Sequence, residues 1–340
     1  MPEAFGRLDT DLQLREKILP FCRLKKGEIW EDPLCGHRIG VLDATRQEDV
    51  EQIFGKEKTV LSVQDPPYNV TVGNENTENL FKMNLSEYMA FSQKWIENNL
   101  LVLGKNASLY VWLGADQKEH FQPLPDFMIM MRQFPELVSR SFITMRNQRG
   151  YGTQKNWMAV RQECLYYTKG NAYFDVNAEY TDIPKILRGY YKEVNGSKTE
   201  NMERSKSENI RAGNVWVDVQ QVFYRMIENV AGCYAQKPLK SIERIVKASS
   251  APGDLISDFF AHSGTTLIVG EMLKRKVFTF DIDPIFAELT IRRLENLRKT
   301  GEPGWQFGNP FPEISDWLIQ TRNEKEPAPN QTFVAQTSLF

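Results

Sequence analysis

The 340 residues, 41% of them hydrophobic, are enough to bury a sizeable core in one or two units. A formal charge of −2, from 42 basic and 44 acidic residues, excludes a uniformly basic nucleic-acid binder. Four scattered cysteines (Cys22, Cys35, Cys164, Cys233) make no CxxC pair and no disulfide framework; with no signal-peptide core or bilayer-length apolar run, this points to a cytoplasmic chain without a membrane segment.

In chain order, residues 1–36 mix charge with apolar patches and suggest an arm. Ile39–Asp43 reads as a short strand ending in an acid, followed by a helix through Val50 and Ile53. Thr59–Gln64 is the next strand, and residues 69–83, with Gly73 and several asparagines, read as a loop able to close over a ligand. Ser86 is placed to cap a helix that puts Tyr88, Phe91 and Trp95 on one core face. A strand over Ser108–Leu113 and a helix near Phe127–Gln133 follow. Ser141–Met145 and Glu163–Tyr167 are strands on either side of a basic loop. Residues 172–229 are polar and lack clear periodicity. The strand in Pro252–Asp258 and the strand Val277–Phe280 each run into a helix, the first capped by Thr265 or Thr266 and the second carrying Ala287, Ile291 and Leu294 inward with Arg292, Arg293 and Arg298 on other faces. From about Gln320 the tail is polar and proline-rich. Alternating strands and helices predict an α/β, mostly parallel, twisted sheet with helices on both faces.

Two segments carry chemistry. Asp65-Pro66-Pro67-Tyr68 follows a strand, where active sites of open α/β sheets lie. A carboxylate there can accept one N–H of an exocyclic amine while the Pro66 carbonyl accepts the other. Consecutive prolines fix the backbone for this and remove donors, and Tyr68 offers a ring for an unstacked base. Far downstream, Asp258-Phe259-Phe260-Ala261-His262-Ser263-Gly264-Thr265-Thr266 joins a strand to a helix through a small-residue loop, and Asp281-Ile282-Asp283 ends the next strand. Acids at that tip are placed to accept hydrogen bonds from ribose hydroxyls. From Leu137 to Gln162 there are five basic residues (Arg140, Arg146, Arg149, Lys155, Arg161), no acid, and Trp157. That mixture suits phosphate and base contacts. His37, His120 and His262 are isolated in the sequence without metal-ligand spacing, so no metal is expected.

These motifs resemble those of DNA amino-methyltransferases. Asp65–Tyr68 is similar to their catalytic motif, Phe260–Gly264 to their Phe-x-Gly-x-Gly loop, and Lys237-Pro238 to the segment leading into the cofactor strand. Catalytic motif before cofactor loop is the order of the circularly permuted β group. His262 departs from the pattern, standing where the first glycine is usual. The resemblance implies a Rossmann-like, permuted fold that binds S-adenosylmethionine through Asp258, Phe260, His262, Ser263, Gly264, Thr265, Thr266, Asp281, Asp283 and Lys237, with Asp43 near the adenine. It also implies double-stranded DNA as substrate and a flipped-out adenine methylated at N6, because Asp heads the first motif. Cytosine-N4 methylation, RNA methylation and a catalytically silent DNA-binding relative are the alternatives. A homodimer and a companion restriction endonuclease are partners the resemblance admits. The expected layout is an arm (1–36), a catalytic half (37–171), a target-recognition region (172–229), a cofactor half (230–319) and a tail (320–340).

Overall fold

The protein is described from a computed structural model covering residues 5–67, 83–114, 122–153, 156–184, 191–200, 207–306 and 308–318. The chain begins with α1 (Leu12–Ile18), β1 (Ile29–Glu31), β2 (Arg38–Val41), α2 (Gln47–Phe54) and β3 (Thr59–Gln64). Then come α3 (Leu85–Val102), β4 (Leu103–Leu113), α4 (Pro123–Met130), β5 (Leu137–Thr153) and β6 (Asn156–Lys169). Short strands β7 (Tyr180–Pro184), β8 (Tyr191–Val194), β9 (Ser197–Glu200), β10 (Asn209–Arg211) and β11 (Val215–Trp216) fill the interval expected to be irregular. The chain closes with α5 (Leu239–Ser249), β12 (Leu255–Asp258), α6 (Thr265–Met272), β13 (Lys276–Asp281) and α7 (Pro284–Thr300).

Nine strands form one sheet in the order β1-β2-β13-β12-β3-β4-β6-β5-β11. The run from β2 to β4 is parallel; β1 and the β4-β6-β5 side pair antiparallel. This is the mixed, mostly parallel sheet expected from the alternation of elements. Helices cover both faces: α2, α3 and α4 bury Phe54, Trp95 and Phe127 on one, and α5, α6 and α7 bury Ile245, Leu267 and Ile291 on the other. Such two-sided cover explains why β3 and β12 read as near-continuous buried runs rather than alternating ones. Among the described residues, no helix is long and apolar enough to cross a membrane.

Several local expectations change. Asn84, not Ser86, caps α3, accepting from the Glu87 N–H at 3.0 Å while the Glu87 carboxylate accepts from the Asn84 N–H at 2.9 Å. Neither Thr265 nor Thr266 caps α6; left-handed Gly264 stands at that position. The basic stretch is not a loop between two strands but the long arms of the β5–β6 hairpin, which extend both strands well beyond their apolar centres. Tyr88 and Trp95 do lie in the core, as expected from the stripe on α3. The N-terminal segment packs Leu8, Leu14 and Ile18 against Ile285, Phe286 and Leu289 of α7. The loop expected at 69–83 falls almost wholly, and the tail from 320 wholly, outside the described residues.

Candidate active site

Parallel register brings the two motifs together. Ser62 of β3 pairs with Ser257 of β12, so Asp65 and Phe260, each three residues further on, emerge at the same carboxyl edge. Buried Gln64 locks that alignment. Its Oε1 accepts from the Phe259 N–H at 3.0 Å, and its Nε2 donates to Ser62 Oγ at 2.7 Å.

Beyond the strands, Asp65, Trp112, Lys237, Asp258, Phe260 and His262 line one cavity of about 20 Å³, roughly the room of a single water. Pro66 is buried and Pro67 exposed; Tyr68 lies outside the described residues. Asp65 keeps 27% of its side-chain surface exposed, and Lys237 Nζ donates to both of its oxygens at 2.8 Å. Lys237 was expected to serve the cofactor; in the structure its ammonium is on the catalytic-motif acid. Trp112 puts the face of its ring 5.3 Å from that ammonium.

The loop after β12 is held from beneath. Asp258 is buried, accepts from the Phe260 N–H at 3.0 Å, and is pushed up to about 7 chiefly by burial. His262 has a φ of +43°, the left-handed geometry for which the family glycine would be suited, and donates its N–H to Asp281 at 2.9 Å. Its ring sits 4.8 Å from that of Phe286, and burial lowers its basicity, leaving a neutral imidazole packed as an aromatic. Gly264 has a φ of +74°, and a Cβ there would lie 3.0 Å from Thr290. Ser263 and Thr265 face each other at 3.2 Å, and Thr265 Oγ1 donates to the Lys237 carbonyl at 3.3 Å. Thr266 hydrogen-bonds Asp258.

Arg293 is the residue whose place the helical pattern missed. Expected on an outer face of α7, it is fully buried, and donates to the carbonyls of Ser263 at 2.7 Å, Pro303 at 2.6 Å and Glu228 at 3.2 Å. Burial lowers it to about 10, so it stays charged at neutral pH. The flanking Ile291 and Leu294 gave the only hint, since they place it at the border of the apolar stripe.

The acids on the adjoining strands divide their work. Asp281 accepts backbone N–H groups of His262 and Asp283 through separate oxygens and is pushed up to about 7, by burial first and the neighbouring Asp283 next. Asp283 caps α7 through the Ile285 N–H at 3.0 Å and pairs with Arg15 at 2.7 Å, so the N-terminal segment buttresses this corner. Asp43 lies just beyond β2, two residues past the Val41 that pairs with Asp281, and there closes a local turn onto Thr45 at 2.9 Å. Asp32, Cys35 and His37 also converge, within 4.8 Å of one another, which sequence spacing did not suggest. Both nitrogens of His37 are engaged, by the Val277 N–H and Glu271, and Asp32 is held by Arg298.

Of the basic residues, Arg140 and Arg146 are exposed on β5, and Trp157 is 92% exposed on β6. Arg161 stands across the hairpin from Arg146 and turns to buried Glu163 at 3.3 Å. Lys155 and the side chain of Arg149 lie outside the described residues.

A family model for N6/N4 methyltransferases, described as DNA methylase, matches residues 60–292, which span both motifs. The chain belongs to this family. Similar proteins include the type II methyltransferase M.HpaI of Haemophilus parainfluenzae, 25% identical over 77% of this chain and 74% of that one. The DNA adenine methyltransferase YhdJ of Escherichia coli K12 is 26% identical over 76% of this chain and 81% of its own. The solved cytosine-N4-specific PvuII DNA methyltransferase covers 84% of this chain and 91% of its own at 15% identity, with a TM-score of 0.52, a likeness of fold. The protein is thus a DNA amino-methyltransferase, acting on N6 of adenine or N4 of cytosine, with S-adenosylmethionine as donor. The residues present fit that donor: carboxylates at two strand tips suit hydroxyl and ammonium groups, half-buried Phe260 suits an aromatic ring, and Lys237 suits a carboxylate.

Proposed function

We propose that the protein methylates N6 of an adenine flipped out of duplex DNA, with Asp65 aiming the amine. The observation that carries this reading is the convergence of Asp65 with Asp258, Phe260 and His262 around one cavity. S-adenosylmethionine supplies an electrophilic methyl group on a sulfonium. Asp65 accepts one N–H of the amine and the Pro66 carbonyl the other, which localises the nitrogen lone pair. That pair forms the N–C bond as the C–S bond breaks, its electrons remaining on sulfur, and the surplus amine proton leaves through Asp65 to water. Alignment of this kind can account for roughly 7–11 kcal/mol of a barrier. Tyr68 stacks on the extruded base.

On the donor side, Asp281 and Asp283 face the ribose, Asp43 lies toward the adenine, and Phe260, Ser263, Gly264, Thr265 and Thr266 shape the pocket over Asp258. The β5–β6 hairpin, with Arg140, Arg146, Arg149, Lys155, Trp157 and Arg161, meets the duplex, aided by residues 172–229; residues 37–171 and 230–319 form the catalytic and cofactor halves. Adenine is favoured over cytosine because Asp65 heads the motif, and because the Escherichia coli relative bears an adenine-specific name.

The test is methyl transfer from labelled S-adenosylmethionine to unmethylated duplex DNA, with nucleosides resolved by mass spectrometry. N6-methyladenine is expected. N4-methylcytosine would overturn the choice of base while keeping the machinery. An unlabelled DNA alongside measurable cofactor binding would overturn the reading and direct the search to RNA.

A further inference from the structure

The Lys237–Asp65 pair leaves the proposed chemistry one step short. Asp65 has two carboxylate oxygens, and Lys237 donates to both at 2.8 Å. An incoming amine must share or take one of them. Lys237 is also strung between the two motifs: its carbonyl accepts from Thr265 at the start of α6, and its side chain, 5% exposed, lines the cavity shared by Asp65 and the loop 258–266. Its backbone is fixed, because Pro238 begins the approach to α5 and buried Gln236 is held by the Val230 N–H and the Glu228 carbonyl. The four-carbon stem is the part with rotatable bonds, and an ammonium carries its three donors in any rotamer. A second carboxylate arriving at the mouth of this cavity therefore competes with Asp65 for the same cation.

We infer that Lys237 is a latch released by the cofactor: it clasps Asp65 until the carboxylate of the methionine tail draws the ammonium away and frees an oxygen for the target amine. Lys237 is a positioning residue in this scheme, acting on the base through Asp65. The consequence is order, with the donor seated before the amine is gripped. The inference rests on the role proposed for Asp65, but its test does not. It needs neither DNA nor turnover.

The experiment is calorimetric titration with S-adenosylhomocysteine, which carries the amino-acid tail, and with methylthioadenosine, which lacks it. Asp65→Ala removes the competing carboxylate and should tighten S-adenosylhomocysteine about fivefold to tenfold, the scale of about 1 kcal/mol in competition. Lys237→Met should weaken it by a similar factor, and the double variant should match Lys237→Met alone. Methylthioadenosine should bind all four proteins equally. Unchanged or weaker S-adenosylhomocysteine binding by Asp65→Ala overturns the latch, as does an equal gain for methylthioadenosine. Should Lys237→Met fold poorly, the Asp65→Ala comparison between the two ligands decides alone, since Asp65 is partly exposed at a strand tip. Transfer by Asp65→Ala at the wild-type rate would sink the role of Asp65 separately, leaving the binding result to judge the latch.

Discussion

The cofactor corner and the β5–β6 hairpin solve opposite problems with the same residue type. In the corner, Arg293 is buried and spends its guanidinium on three backbone carbonyls, fixing loops that meet from residues 228, 263 and 303. On the hairpin, Arg140 and Arg146 are exposed and make no ion pair among the described residues. A buried arginine defines shape, and an exposed one keeps its charge for a phosphate. The difference teaches that buried charge fixes geometry at the carboxyl edge of the parallel strands, while the proposed contact with DNA would draw on charge held outside the core.

The strongest break in that comparison is Asp65→Ala. It removes the acceptor at the strand tip without touching the hairpin, so transfer should fall about 10³-fold while DNA affinity stays within about twofold. Single-turnover methylation and a filter-binding titration read the two halves separately. Retained transfer would move the acceptor role elsewhere.

Next comes Arg293→Met, which keeps length but leaves buried carbonyls without a donor. Loss of these charge-assisted bonds should cost about 3 kcal/mol of stability and loosen the cofactor loop, weakening S-adenosylhomocysteine binding. Urea unfolding and calorimetry check it. A loss under about 1 kcal/mol would show that the carbonyls find water.

The contrast between these two residues also explains how far the sequence could be read. Asp65 was legible because a buried parallel strand is an apolar run, and the acid that ends it sits where ligands bind. The strands β12 and β13 were legible for the same reason, whereas the pairing of the two motifs was expected only from their resemblance to those of DNA amino-methyltransferases. Arg293 was not, because a helical pattern separates faces but does not say that Pro303 and Glu228 return to cover one of them. Lys237 on Asp65, 172 positions away, and Gln64 on Phe259, 195 away, are likewise contacts that no periodicity encodes. The hairpin was misjudged as a loop because β propensity there yields to charge, while ladder bonds depend on the partner strand.

A smaller effect separates the corner's two kinds of buried charge. Burial raises Asp258 from an ordinary 3.8 to about 7, so the folded protein holds a proton that the unfolded chain has released. Stability from this group is therefore full below pH about 4 and is lost as pH rises toward 7. Asp258→Asn can keep accepting from Phe260 while donating to Thr266, and should gain about 1–2 kcal/mol at pH 8 and nothing at pH 4. Unfolding midpoints across that range test it. An equal gain at both ends would point to packing rather than protonation.

The smallest effects should lie on the hairpin, where they can still be sorted. Arg146 and Arg161 face one another across the strands, yet only Arg161 turns to Glu163, whose side chain is fully buried. Arg146→Ala should remove one phosphate contact, lowering the slope of log K against log salt by about 0.9 and leaving the unfolding midpoint unmoved. Arg161→Ala should do the reverse. It strips a buried carboxylate of its cation, costing about 1–2 kcal/mol of stability, and changes the salt slope less than Arg146→Ala does. If both substitutions lowered the slope equally, Glu163 would have to release Arg161 to the DNA, and the hairpin would prove to be a partner-induced surface rather than one set in advance by its own ion pair.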